Sequence, residues 1–102
     1  MGQSTLPITF AAHDADVVLI AANPKAGSGS REARIARLAD QLGRSGFHVE
    51  VITDLTALDR RINEEQAAGK LRVVVAAGGD GTIAELVNRT QPGTPLTVLP
   101  LG

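Results

Sequence analysis

"VVVAAGGDGTIAELV", residues Val73–Val87, decides how this chain reads. The apolar, largely β-branched run Val73–Ala77 suits a strand buried on both faces. Two glycines, Asp80, Gly81 and Thr82 follow. Ile83, Leu86 and Val87 then fall on one side of a helical wheel, so a helix is expected from Thr82 to about Arg89. A buried strand turning at once into a helix is half of a βαβ unit.

The same alternation continues in both directions. "LRVVVAA" (Leu71–Ala77) starts the strand. Before it, Leu58 and Ile62 mark the inner face of a helix from Leu55 to about Ala68, ended by Gly69. "FHVEVIT" (Phe47–Thr53) alternates apolar and polar residues as a strand does. Ile35, Leu38, Ala39 and Leu42 set a helix from Arg31, with Ser30 as its N-cap and Gly46 as its stop. "DVVLIAA" (Asp16–Ala22) is a further buried strand, and "NPKAGSGS" (Asn23–Ser30) after it is turn chemistry throughout. Downstream, "QPGTP" breaks the chain before "LTVLPLG" (Leu96–Gly102), a last strand.

The order is β-α-β-α-β-α-β. Two-sided apolar strands joined by helices predict an α/β fold: a three-layer parallel sheet with helices on both faces. Residues 1–15 are expected to be a flexible N-terminal segment, and residues 16–102 the folded domain.

Composition narrows the function. The 102 residues carry 10 Lys+Arg against 11 Asp+Glu, so no long-range field draws the chain to nucleic acid. Two Phe, no Tyr and no Trp leave no base-stacking platform. Without cysteine there is no thiolate chemistry. His13 and His48 lack partners at metal-ligand spacing, and no zinc site is expected. No basic segment leads into an apolar run at the N-terminus, and no apolar stretch is long enough to span a bilayer. A cytoplasmic location is expected.

In a parallel sheet every β-to-α loop lies at the C-terminal edge of the strands. "NPKAGSGS" and "GGDGT" both lie there. If their strands are neighbours, as in the order 2-1-3-4, the loops face each other across one crevice. Glycines remove the Cβ, allow positive φ and let the backbone approach a ligand. Consecutive N–H groups and a helix N-terminus then suit phosphate oxygens, and Lys25 adds a positive charge. "NPKAGSGS" is not a Walker A loop and lacks the later glycine of G-x-G-x-x-G.

Asp80 is the carboxylate nearest the proposed phosphates. Beside anions it needs a cation or a proton to carry. It either holds Mg²⁺ against the phosphates or acts as general base toward a substrate hydroxyl. The plain alternative is a helix N-cap, a role open to Asp80 or Thr82. Glu85, one turn past Gly81, is either a second acid at the site or a solvated helix residue. Thr53 is either a nucleotide contact or an ordinary strand end. His48 sits early in its strand, at the wrong edge.

These residues resemble a known family. Asn23-Pro24 with Gly27 and Gly29, then Gly78-Gly79-Asp80-Gly81-Thr82 with Glu85, then Pro100-Leu101-Gly102, resemble the catalytic domain of diacylglycerol kinases. Bacterial lipid kinases, sphingosine kinases and ceramide kinases share it. The resemblance covers the chain after about Asp16. The ordered trio is more specific than GGDG alone, since NAD kinases and phosphofructokinases have similar loops. It implies ATP-dependent phosphorylation of a lipid hydroxyl, such as that of diacylglycerol, with Mg²⁺. The implied nucleotide contacts are Asn23, Pro24, Lys25, Gly27, Gly29, Thr53, Gly78, Gly79, Asp80, Gly81, Thr82 and Glu85. Asp80 is the implied metal-linked residue and, in sphingosine-kinase-like members, the proton acceptor.

The family's enzymes continue past "PLG" into an N-D-F-A-like segment and a β-rich domain that carries much of the lipid site. A chain ending at Gly102 therefore reads as a truncated N-terminal domain, expected to lack turnover alone. The full enzyme is expected to touch the membrane surface peripherally. The last strand is expected to be an open sheet edge and a route to homo-oligomers. The competing readings are an NAD kinase-like enzyme for a soluble substrate, and a non-catalytic regulatory module.

Overall fold

A computed structural model of the chain describes residues 14–22 and 29–101. Its elements alternate as β1 (Val17–Ala22), α1 (Gly29–Arg44), β2 (His48–Ile52), α2 (Leu55–Ala67), β3 (Leu71–Gly78), α3 (Asp80–Arg89) and β4 (Leu96–Pro100). The strands form one parallel sheet in the order β2-β1-β3-β4. This is the fold and the strand order that the two glycine loops predict. The N-terminal segment expected to be flexible lies, for residues 1–13, outside the described residues.

β1 and β3 are apolar throughout because both of their faces are covered. Leu19, Ile20, Val74 and Ala76 are completely buried, and burying a side chain as large as Leu or Ile contributes about 1.5–3 kcal/mol. The strand alternation sorts these residues into two cores. Val17, Leu19, Ala21, Val74 and Ala76 pack with Leu58 and Ile62 of α2 and Leu86 of α3. Val18, Ile20, Val75 and Ala77 face the other way, toward Ile35, Leu38, Ala39 and Leu42 of α1. Three layers result, with two helices on one face and one on the other.

The two covers are unequal. α2 and α3 each bury side chains fully, whereas α1 buries none. α1 lies on its core through half-buried residues. The edge strands are correspondingly mixed: β2 exposes His48, Glu50 and Val51, and β4 exposes Thr97, Val98 and Pro100.

Helix ends follow local chemistry. Gly46 and Gly69, at φ 98° and 71°, close α1 and α2 in the left-handed region that favours glycine. Asp54 caps α2, its carboxylate accepting the Ala57 N–H at 3.1 Å. Two expectations need correction. α1 starts at Gly29, so Ser30 lies within its first turn and is not its cap. Val87, expected on the inner face of α3, is 47% exposed. Leu86 takes the buried position, and Val87, one residue on, turns away from it.

β3 holds an irregularity that explains its one charge. Val17 pairs with Leu71 but Val18 pairs with Val73, so Arg72 is an extra residue in the ladder. Its Nε donates to the Ala15 carbonyl at 2.8 Å, and its guanidinium lies 5.7 Å from the Phe47 ring centre. Such a stack contributes about 0.5–1 kcal/mol.

Candidate functional site

β1 connects outward to β2, and β3 connects outward to β4 on the opposite side. The strand order therefore reverses between β1 and β3, where open α/β sheets place their ligand crevice. Ala22, the last residue of β1, pairs with Ala77, and Gly78 pairs with Pro100. The first glycine loop thus leaves the sheet beside the start of the second. Asn23, Pro24, Lys25 and Gly27 lie outside the described residues. Gly29 opens α1, and a Cβ there would meet nothing within 4 Å.

The second loop is one residue long. Gly79, at φ −86° and ψ −176°, is extended, and it is the N-cap of α3 without a side-chain bond. Asp80 is the first helical residue and Thr82 lies two further on. Neither is the cap, so the plain alternative raised for them does not hold: the strand runs straight into the helix and Gly79 takes that position. Nor do Gly78, Gly79 or Gly81 adopt positive φ. With so short a link the chain needs no left-handed residue.

These glycines have different reasons to be there. A Cβ on Gly78 would stand 2.8 Å from the Thr82 Cβ, inside any tolerable contact. The fold itself requires glycine at this position. A Cβ on Gly79 or Gly81 would meet nothing within 4 Å. Packing does not require glycine there: the space over the first turn of α3 is open.

The electrostatics fit an anion. The Ile83 N–H reaches the Gly79 carbonyl at 3.0 Å. The N–H groups of Asp80 and Gly81 precede it, in the part of a helix that has no i−4 acceptor. Together with the helix dipole they favour negative charge. Asp80 is exposed and makes no ion pair or side-chain hydrogen bond with any described residue. An acid in a first turn stabilises a helix by about 0.3–1 kcal/mol without any ligand. It also leaves a carboxylate exposed at the helix N-terminus.

The remaining candidates are more distant. Thr53 follows Ile52, which pairs with Ala21, so it stands at the same sheet edge, exposed. β1 lies between it and β3, about 10 Å across two strand spacings. Glu85 is exposed and lies about 140° around the helix axis from Asp80. The two acids do not converge. His48 begins β2 at the opposite edge, 3.7 Å from Asp16 Oδ2. The described residues contain no group of three or more His, Asp or Glu side chains able to hold a metal. A hard cation bound by one carboxylate together with phosphate oxygens and water needs no such group.

One residue at this edge escaped the sequence reading. Arg34 of α1 donates through Nη2 to the Pro100 carbonyl at 3.2 Å. Its helical position gave no sign that it would cross to β4, 66 residues away.

A parallel sheet covered by helices on both faces, with its strand order reversing between β1 and β3, defines a doubly wound α/β domain. The family model for the diacylglycerol kinase catalytic domain matches residues 17–102, and the chain belongs to that family of kinases. Neither a curated protein nor a solved structure matches the chain significantly. No helix among the described residues is long and apolar enough to cross a membrane.

Proposed function

We propose that this domain is the ATP-binding part of a lipid kinase, which transfers the γ-phosphate of Mg·ATP to a lipid hydroxyl such as that of diacylglycerol. The observation that carries the reading is the β3–α3 turn. Gly79 and Gly81 leave open space on either side of Asp80, which has no side-chain partner among the described residues, beside the start of the first glycine loop. Family membership supplies the reaction class.

In this reading the first-turn N–H groups of α3 hold phosphate oxygens, and the Thr82 hydroxyl lies within the same turn. Asp80 holds Mg²⁺, directly or through water. The ion would neutralise charge on the phosphates during transfer. Glycine at 79 and 81 keeps the backbone close to the ligand. A lipid hydroxyl is reached from a membrane surface, so the acting enzyme works there as a peripheral protein.

Titration with Mg·ATP tests the nucleotide half. Saturable binding by the chain, weakened in Asp80→Asn, is expected; absence of binding by the unaltered chain overturns the reading. Phosphate transfer from labelled ATP to diacylglycerol vesicles, set against NAD as acceptor, tests the substrate class in the catalytically complete enzyme. Transfer to NAD alone would reject a lipid substrate.

A further inference from the structure

We propose that the cleft between α2 and the end of α3 is a second ligand site, suited to a small uncharged polyol of about the size of glycerol. It lies at the far end of α3 from Asp80, about 13 Å along the helix axis, and is separate from the proposed phosphate site. The cavity measures about 60 Å³ and is open to solvent. A water-sized probe needs roughly 10–15 Å³, so there is room for about four to six non-hydrogen atoms. A three-carbon polyol fills that space. A nucleotide or a peptide strand is too large for it.

The lining selects the chemical class. Its charges cancel, because Arg89 Nη2 donates to Asp59 Oδ2 at 2.6 Å. An anion would have to take Arg89 from Asp59, and a cation would have to take Asp59 from Arg89. The other polar groups are neutral. Asn63 and Gln91 line the cavity, and neither makes a side-chain hydrogen bond with any described residue. A carboxamide both donates and accepts, as a hydroxyl does, so the two answer each other. Thr94 Oγ1 stands 3.4 Å from Gln66 Oε1, beyond the roughly 2.5–3.0 Å usual for such a pair. A ligand hydroxyl replaces so weak a contact at little cost. Ile62, 7% exposed, gives the lining an apolar side chain against which a C–H edge can lie.

The walls are already set. The turn after α3 is closed by the Thr94 N–H on the Gln91 carbonyl at 3.1 Å, with Gly93 at φ 91°. The Arg89–Asp59 bridge joins α3 to α2 across the cleft. Ile62 is seated in the same core as Leu86 of α3. Walls that need no ordering bind a ligand with less loss of freedom.

Glycerol added to the 102-residue chain tests the site through side-chain amide resonances. Saturable shifts are expected at Asn63, Gln66 and Gln91, with a dissociation constant of about 10 mM, as suits so small a ligand. Gln41, exposed on α1, should stay unmoved. Thr94→Val removes a hydroxyl at nearly constant shape, and Asn63→Leu removes an exposed carboxamide. Each is expected to weaken glycerol binding by about tenfold, with the melting temperature nearly unchanged. Inorganic phosphate and propanol, the charged and the single-hydroxyl probes, should give no saturable shift. Shifts that rise linearly with glycerol and are shared by Gln41 would show solvent alone in the cleft and overturn the site. Saturation by phosphate in place of glycerol, or undiminished glycerol affinity in both variants, overturns it as well.

Discussion

Gly78 and Thr82 are in van der Waals contact at the point where β3 becomes α3, so close that a Cβ on Gly78 would stand 2.8 Å from the Cβ of Thr82 and 2.9 Å from its Cγ2. The contact sets the angle at which the helix leaves the sheet. Gly78→Ala is expected to push the first turn outward and to cost about 1–3 kcal/mol, as overpacking does. Chemical denaturation measures the loss. Mg·ATP affinity should fall with it, since the first turn of α3 is displaced.

Gly79→Ala and Gly81→Ala should behave in the opposite way. Neither Cβ meets the protein, and neither glycine has positive φ. Gly81→Ala should even stabilise the domain by about 0.5 kcal/mol, because alanine is the better helix former. Both should still weaken Mg·ATP binding by filling the open space over the first turn of α3. Stability and affinity measured on the same three variants therefore separate the glycine the fold needs from those a ligand needs. Unimpaired affinity in both Gly79→Ala and Gly81→Ala would remove that space from the site.

Asp80 is expected to show its role through magnesium. In the unaltered chain, ATP affinity should rise as Mg²⁺ is added. Asp80→Asn should bind ATP with little dependence on Mg²⁺, and without Mg²⁺ it should bind more tightly than the unaltered chain, because a like charge has gone. Calorimetry with and without the metal checks both. Equal Mg²⁺ dependence in the two proteins would leave Asp80 as a helix-end residue.

Away from the site, Arg61 holds Glu50 of β2 together with Glu64 and Glu65 of its own helix. The hydrogen bonds from Arg61 keep the Glu50 carboxyl below its ordinary value of 4.5, against a smaller opposing effect of burial. Folding lowers this pKa, so the stabilisation is complete above pH 4.5 and fades as the pH falls through the folded value. Both partners are partly exposed, so the effect should be small. Unfolding followed from pH 7 down to 3 should show Glu50→Gln converging on the unaltered protein at the acid end. A constant difference across the range would refute this.

Among the described residues β4 pairs only with β3, and its Val98 is 47% exposed. We propose that this edge supports self-association, which Val98→Lys should suppress. Sedimentation across a concentration series measures it, and a concentration-independent monomer rejects it.

What the sequence made legible follows from how directly each signal is written. β1 and β3 are unbroken apolar runs, and only a strand covered on both sides gives that pattern. The two glycine-rich loops then placed β1 beside β3, and the sheet order followed. Gly46 and Gly69 marked helix ends because left-handed φ leaves few alternatives. The cap of α3 was not legible, because a one-residue link makes Gly79 the cap and puts Asp80 inside the helix. Val87 is not on the inner face because in so short a helix that face narrows against the sheet to Ile83 and Leu86. Arg34 was invisible for a different reason: its partner is a backbone carbonyl, which leaves no mark in the residue type at position 100.

The single-residue link at Gly79 leaves the second wall of the crevice without slack. A residue inserted there would rotate α3 relative to β3 and lift Thr82 off Gly78, so this wall cannot be lengthened while the helix keeps its seat. Any change of length that this scaffold tolerates must therefore fall outside the β3–α3 link, with the GGDGT turn serving as a fixed jaw of the sheet edge.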